Sequence, residues 1–252
     1  MQARPLEGKV AIVTGGTRGI GEAIVNALSD QGASIVVNYT SSEDRAEAIV
    51  KRIEADGGKA ISVQADIGNV NAAKKIVKAT VEAFGKIDIV VNNAAIGIFQ
   101  VLEEIQVEDF VAMFNVNVQG PILLVKESSP YLQEYGRIIN ISSVAARNGF
   151  HGAAVYAGTK GALESISRVW ATEFGGKNIT SNCVNPGPVA TDAVLQQPPE
   201  YVEAFKQVTQ NAAIKRFATP KEIADVVAFL AGPGSQWITG DVLNANGGLI
   251  FT

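Results

Sequence analysis

One cysteine, Cys183, and one histidine, His151, occur in the 252 residues. The lone cysteine excludes an intrachain disulfide and any cysteine-built zinc site. The lone histidine excludes a two-histidine metal centre and leaves a single base for a Ser-His-Asp arrangement. No metal is expected. Charged residues are only 18% of the chain, and 21 Lys+Arg against 25 Asp+Glu leave a net charge of −4. This mildly acidic balance, without a block of Lys or Arg, argues against a nucleic-acid or membrane-surface partner. No apolar run approaches the roughly 20 residues that span a bilayer. The first residues lack the apolar stretch of a signal peptide, and Phe251-Thr252 is no peroxisomal address, so a cytoplasmic location is expected.

What is present is apolar residues (47%) and 25 glycines, enough for a large core with tight turns and no case for disorder. Residues 9–14 (KVAIVT) form a continuous apolar run ending in glycines, the signature of a strand buried on both faces. Residues 34–38, 60–64, 87–91, 137–141, 180–184 and a short run near 241–244 repeat it, with helix-period sequence between them. Ile20, Ala23, Ile24, Ala27 and Leu28 make the first helical stripe, and Thr219-Pro220 open the last helix. Regular alternation of this kind predicts an α/β fold. It is a single doubly wound domain over residues 1–252, a parallel seven-stranded sheet with helices on both faces. Residues 188–217, rich in proline, break the rhythm and read as a substrate flap.

The first strand runs into Thr14-Gly15-Gly16-Thr17-Arg18-Gly19-Ile20-Gly21, which opens the first helix. Glycines there let the backbone turn sharply and approach a pyrophosphate, while the helix N-terminus offers free N–H groups. Dinucleotide sites selective for NAD place an acid at the end of the second strand. This chain has Asn38-Tyr39-Thr40-Ser41-Ser42 instead, with Arg18 in the turn, so a 2′-phosphate is expected and NADP is the better fit.

Tyr156 and Lys160 are four residues apart, so on a helix their heads share a face. A nearby ammonium favours the phenolate and is expected to lower the Tyr156 pKa towards a working value. Ser143, thirteen residues earlier, ends the strand of residues 137–141, and ligands in open α/β sheets gather at that carboxyl edge.

Together these motifs resemble the short-chain dehydrogenase/reductase family, from about Gly8 to Gly248. The resemblance implies a cofactor turn of Gly15, Thr17, Arg18, Gly19, Ile20 and Gly21, and an adenine contact at Asp66 and Ile67. Asn93, Ala94 and Ala95 match the family's Asn-Ala-Gly beside the cofactor, with Ala95 replacing the usual Gly. Asn117 matches the catalytic asparagine, with Asn115 the competing assignment and the spacing to Gly120 favouring Asn117. Pro186, Gly187, Val189 and Thr191 look like the segment holding the nicotinamide, and Asn246 stands where Asp is common. Ser143, Tyr156 and Lys160 complete the catalytic set, Lys160 also holding the nicotinamide ribose and Asn117 a proton-feeding water. Ser142 is read as a backbone-bonded neighbour, Cys183 as a small core residue and His151 as a loop residue the mechanism does not need.

The implied activity is reduction of a small ketone by NADPH with Tyr156 as proton donor. The likeness is nearest to fungal naphthol reductases and to 3-oxoacyl-[acyl-carrier-protein] reductases. A non-redox biosynthetic enzyme or an NADP sensor on the same fold are the other classes. Carrier proteins are acidic. Glu134, where carrier-dependent relatives have basic sequence, therefore points to a free ketone or alcohol, with Lys177 weakening the point. Tyr201 and Phe205 in the flap suit an aromatic ligand. Family likeness implies a homo-oligomer, a tetramer or a dimer, with helices near residues 108–131 and 155–174 at the interfaces.

Overall fold

The computed structural model describes residues 4–251. Strands β1 (Val10–Val13), β2 (Ser34–Tyr39), β3 (Ala60–Gln64), β4 (Ile87–Asn92), β5 (Leu132–Ile141), β6 (Thr180–Pro186) and β7 (Val242–Ala245) form one sheet. Its order is β3-β2-β1-β4-β5-β6-β7, and every neighbouring pair is parallel. Near-continuous Val and Ile runs are needed because both sheet faces are covered. The whole of β1 and of β4 is buried.

Alternate residues feed two cores. One face of the strands (Val13, Val37, Val91, Ile139) packs on helices α1 (Gly19–Asp30), α2 (Glu43–Ala55) and α9 (Pro220–Ala231). The other (Ile12, Val36, Val90, Ile138) packs on α3 (Ala72–Phe84), α5 (Gly120–Ser128) and α6 (Ala154–Phe174). Thr219 caps α9 with a full capping box: its hydroxyl accepts from the Glu222 N–H, and the Glu222 carboxylate accepts from the Thr219 N–H.

From β1 the chain winds outward to β3, then returns to β4 on the other side of β1. This reversal leaves a crevice above the carboxyl ends of β1 and β4, where α/β sheets bind ligands. Two short helices, α7 (Asp192–Leu195) and α8 (Pro199–Gln210), follow β6 above the same edge.

The observed boundaries differ from the sequence expectation in two places. The fifth strand begins at Leu132 rather than Arg137, with a register shift against β4 and Tyr135 at φ 60°. Residues 133–135 are exposed, so they carry no apolar signal. The segment near 108–131 is not one helix. It comprises α4 (Val107–Phe114), a π-helical turn (Asn115–Gln119) and α5, which stops at Ser128. Among the described residues no helix is long and apolar enough to cross a membrane.

Asp88 pins the amino ends of β1 and β4 together. Its buried carboxylate meets Lys9 and Lys86, each at 3.0 Å, and accepts from the Val10 N–H at 2.9 Å. Removing one partner of a buried charge network strands the others. Asp88→Ala is therefore expected to destabilise the fold by about 3 kcal/mol in urea unfolding.

Candidate active site

The turn after β1 is stitched to the end of β4. The Thr14 hydroxyl accepts the N–H groups of Asn93 and Ala94, both at 3.0 Å, and the Asn93 amide donates to the carbonyls of Thr14 and Gly15 at 2.8 and 3.2 Å. Glycine is required at particular points. Gly15 and Gly19 have φ of 61° and 56°, and a Cβ on Gly21 would lie 2.1 Å from the Gly15 carbonyl oxygen. Arg18 is the exposed N-cap of α1, and its side chain makes no capping bond. The first N–H groups of α1 thus face the crevice as an anion-binding end. Thr191 closes over this turn, its methyl 3.2 Å from where a Gly19 Cβ would be.

The expected cofactor residues divide into those the crevice receives and those it does not. Ser41 is exposed, and Ser42 is the N-cap of α2 with no side-chain cap bond. Both stand at the carboxyl end of β2, as does exposed Asp66 beyond β3. Asn38 does not turn to the crevice. Its buried amide donates across to β3, to the carbonyls of Val63 and Ala65 at 3.2 and 2.9 Å. An acid at 38 would face two carbonyl oxygens, so the choice of dinucleotide is not read at that side chain. Tyr39, on the opposite pleat, is buried, and its phenol pKa is raised by burial and by Glu43 and Glu47. The side chains of Ile67 and Val189 belong to the core, leaving only their backbones for a ligand. Ile20 packs beside the same core. Gly187 lies under Asn246, whose backbone oxygen is 3.1 Å from the place of a glycine Cβ.

Around Ser143 the catalytic candidates converge. Ser143 follows β5, caps a 3₁₀ turn (Val144–Ala146) by accepting from the Ala145 N–H at 3.2 Å, and has its hydroxyl near enough to the Tyr156 phenol to favour its ionised form. Tyr156 and Lys160 share a face of α6, with the Lys160 Nζ 5.7 Å from the phenol ring centroid. The ammonium donates to the Ile141 carbonyl at 2.8 Å. The expected depression of the Tyr156 pKa by Lys160 is not what this geometry produces. Burial pushes the phenol up, and the nearby Ser143 hydroxyl opposes it only in part. Burial also pushes the Lys160 ammonium down, to about 8.

Asn117, rather than Asn115, reaches this cluster. Its side-chain oxygen accepts from the Ile96 N–H at 2.9 Å, and its amide donates to the Ile96 carbonyl and the Thr159 hydroxyl at 2.8 and 3.1 Å. It braces the loop after β4, which holds Ala94 and Ala95, against α6. The π-helical turn sets it there, and such bulges recur at functional sites. Ser142 is not merely backbone-bonded: its hydroxyl donates to buried Glu164 at 2.8 Å.

Phe99 and Arg45 lie outside the motifs read from the sequence. Phe99, in the loop after β4, lies 5.6 Å from the Tyr156 ring and 6.4 Å from Tyr201 of α8, which in turn lies 6.0 Å from Phe205. An aromatic row therefore runs from the phenol out along α8. Arg45 of α2 pairs with Asp192 of α7 at 3.6 Å, and with Arg52 it lines a cavity of about 360 Å³ beside Thr17. An aromatic in a loop at the carboxyl edge of a strand was the available clue for Phe99. His151 is exposed and Cys183 is fully buried, its thiol pushed up to about 12 by burial.

Glu134 and Lys177 stand away from the catalytic cluster. Both lie at the amino ends of their strands, and the run from Arg137 to Ser143 alone is about 20 Å, well beyond a Debye length. Neither residue touches the catalytic cluster, and the aromatic row bears on substrate type more directly.

Residues 15–250 match the family model described as enoyl-(acyl carrier protein) reductase. A short-chain dehydrogenase/reductase of Cladobotryum sp. is 43% identical over 247 residues, covering 96% of each chain. Versicolorin reductase 1 of Aspergillus parasiticus is 42% identical over 253 residues, covering 96% of this chain and 97% of its own. Among solved structures, a blue fluorescent protein from a metagenomic library in complex with NADPH superposes with a TM-score of 0.93. It is 36% identical and covers 98% of this chain and 100% of its own.

Lys160 gives this cluster a measurable cost. Because the folded-state pKa is about 8 against an ordinary 10.5, the unfolded chain binds a proton between those values that the folded chain lacks. Its contribution to stability therefore rises with pH across that window and is unfavourable below it. Lys160→Met is expected to be the more stable protein at pH 7 by about 1–3 kcal/mol, less what the lost Ile141 bond takes back. The difference should close as pH approaches 10.5, which thermal unfolding of both proteins across that range would show.

Proposed function

The chain belongs to the short-chain dehydrogenase/reductase family, and we propose that it is an NADPH-dependent carbonyl reductase of a small aromatic or polyketide-like ketone. One observation carries this reading: Tyr156, close to Ser143 and backed by Lys160, opens onto Phe99 and Tyr201 beside the glycine turn.

The residues present fit a dinucleotide phosphate. The turn is free of Cβ atoms where a pyrophosphate would approach α1, and the first N–H groups of that helix point there. Arg18, Ser41 and Ser42 are the groups that would hold the 2′-phosphate, the guanidinium by a charge-assisted fork. Backbone of Asp66, Ile67, Ala94, Ala95, Gly187 and Val189, with the Thr191 side chain, would line the rest. When bound, the cofactor supplies a hydride to the carbonyl carbon.

The chain does the remainder. Ser143 holds the substrate oxygen and shares the charge that develops on it. Tyr156 transfers its phenolic proton to that oxygen. Its raised pKa keeps the phenol protonated at neutral pH, the state a reduction requires. The Lys160 ammonium, one helical turn on, stabilises the resulting phenolate. Asn117 and Thr159 hold the loop after β4 and α6 at a constant separation, so the Phe99 ring stays beside the phenol. The helices α7 and α8, as a substrate flap, place Tyr201 against Phe99, so the two rings together offer an aromatic wall to a ligand. Versicolorin reductase as a 42% identical relative supports this substrate class. Exposed Phe110, Val111 and Ile122 on α4 and α5, with Val169 on α6, are the surface we assign to homo-oligomer contact.

The alternative within the family is a carrier-bound 3-oxoacyl substrate. NADPH consumption with an aromatic ketone such as trifluoroacetophenone, set against a 3-oxoacyl carrier thioester, separates the two. Higher kcat/KM on the ketone is expected, and the reverse order would replace this reading. Tyr156→Phe should lose at least about 10²-fold in turnover while still binding NADPH. Near-normal turnover in that variant would overturn the reductase mechanism for either substrate. Arg18→Ala should weaken NADPH binding by about 10–100-fold and leave NADH binding within twofold, measured by fluorescence titration.

A further inference from the structure

We infer that Glu164 is a positioning residue for Ser143, holding the serine's loop in register with the proton donor. The inference rests on the catalytic role assigned to Ser143 above. Glu164 lies on α6 one turn beyond Lys160, on the face that also presents Tyr156, and it is 5% exposed. Its two carboxylate oxygens take the two ends of the loop that carries Ser143. One accepts from the Ser142 hydroxyl at 2.8 Å, and the other accepts from the Arg147 Nε–H at 3.0 Å. Lys160 adds a third tie by donating to the Ile141 carbonyl.

Residues 141, 142 and 147 are thus fastened to one helix, and Ser143 is the first of the four residues enclosed. Ser143 itself has extended backbone, and its side chain contacts the Ala145 N–H within its own turn. Nothing in that local contact sets its distance to Tyr156. The ties from α6 do, because the helix that delivers the phenol also delivers the clamp. A buried carboxylate is costly, and apolar residues of similar volume often serve stability as well or better. Its retention under the catalytic serine is explained by geometry: a displacement of about 1 Å at a reacting centre can lower a rate by about 100-fold.

The experiment is a double-mutant cycle on full-length protein, measuring kcat with trifluoroacetophenone and NADPH, together with the NADPH dissociation constant and near-ultraviolet circular dichroism. Glu164→Gln keeps the volume but loses the charge and has one acceptor oxygen, so it cannot accept from both Ser142 and Arg147. It is expected to lower kcat by about 10–100-fold with NADPH affinity within twofold. In a Ser143→Ala background the same substitution should cost less than about twofold more, since the serine it positions is gone. A merely structural role would lower the melting temperature and leave kcat intact. It would otherwise give losses that multiply in the double variant, and either result overturns the inference. Should Glu164→Gln fail to fold, Ser142→Ala removes a single hydroxyl. The same non-additivity is then required, and its absence is equally fatal. A silent Ser143→Ala would instead overturn the site assignment itself, which marks that failure apart from failure of the positioning role.

Discussion

The arrangement depends on the contact between the end of β4 and the turn after β1. Four hydrogen bonds join Thr14 and Gly15 to Asn93 and Ala94 across the one place where the sheet reverses direction. Those bonds hold the glycine turn against the strand next to β5, and so set the spacing between a bound dinucleotide and Ser143. The backbone groups involved would otherwise be unpaired at a strand end, so the contact satisfies the fold as well as the site. Asp88 performs the equivalent closure at the opposite end of the same two strands.

Beyond that joint, α6 is the principal support of the chemistry. Its successive turns carry the phenol, the ammonium and a carboxylate on one face, and a buried polar layer lies beneath them. Ser167 and Ser181 share a hydrogen bond at 2.9 Å, and Cys183 sits close by with no exposure. Charged and polar groups in such a layer cost stability, which is visible in the depressed Lys160 and the elevated Tyr156. The hydrophobic layers of α1, α9 and the strands supply the excess that tolerates this, consistent with active sites being locally unfavourable regions of otherwise stable folds.

Much of the fold was legible because its signals are local. Continuous Val/Ile runs report strands covered on both faces, and glycines at fixed offsets report a turn whose backbone angles exclude other residues. Ser143, Tyr156 and Lys160 were legible for a related reason: one follows a strand and two share a helical face. What was not legible depends on which distant segments meet. Phe99 reaches Tyr201 across a hundred residues, and Glu164 reaches Ser142 and Arg147 from the next helix. Asn38 was misjudged by one residue of pleat, which is enough to send a side chain into β3. Nor does sequence proximity of Glu134 to Ser143 reveal that β5 holds them a strand's length apart.

The glycine at 21 has a consequence for how this protein can diverge. Its missing side chain is where the Gly15 carbonyl oxygen sits, and Asn93 occupies the other side at 2.6 Å. Both neighbours are themselves fixed, one by a positive φ and one by its bonds to the turn. A library randomised over the whole chain would therefore recover folded, cofactor-competent members with variation at Gly149 or Gly158, and almost none at Gly21. Substrate preference can drift through α8 and the loop of Phe99 at little cost, whereas the nucleotide end is frozen by a single oxygen atom.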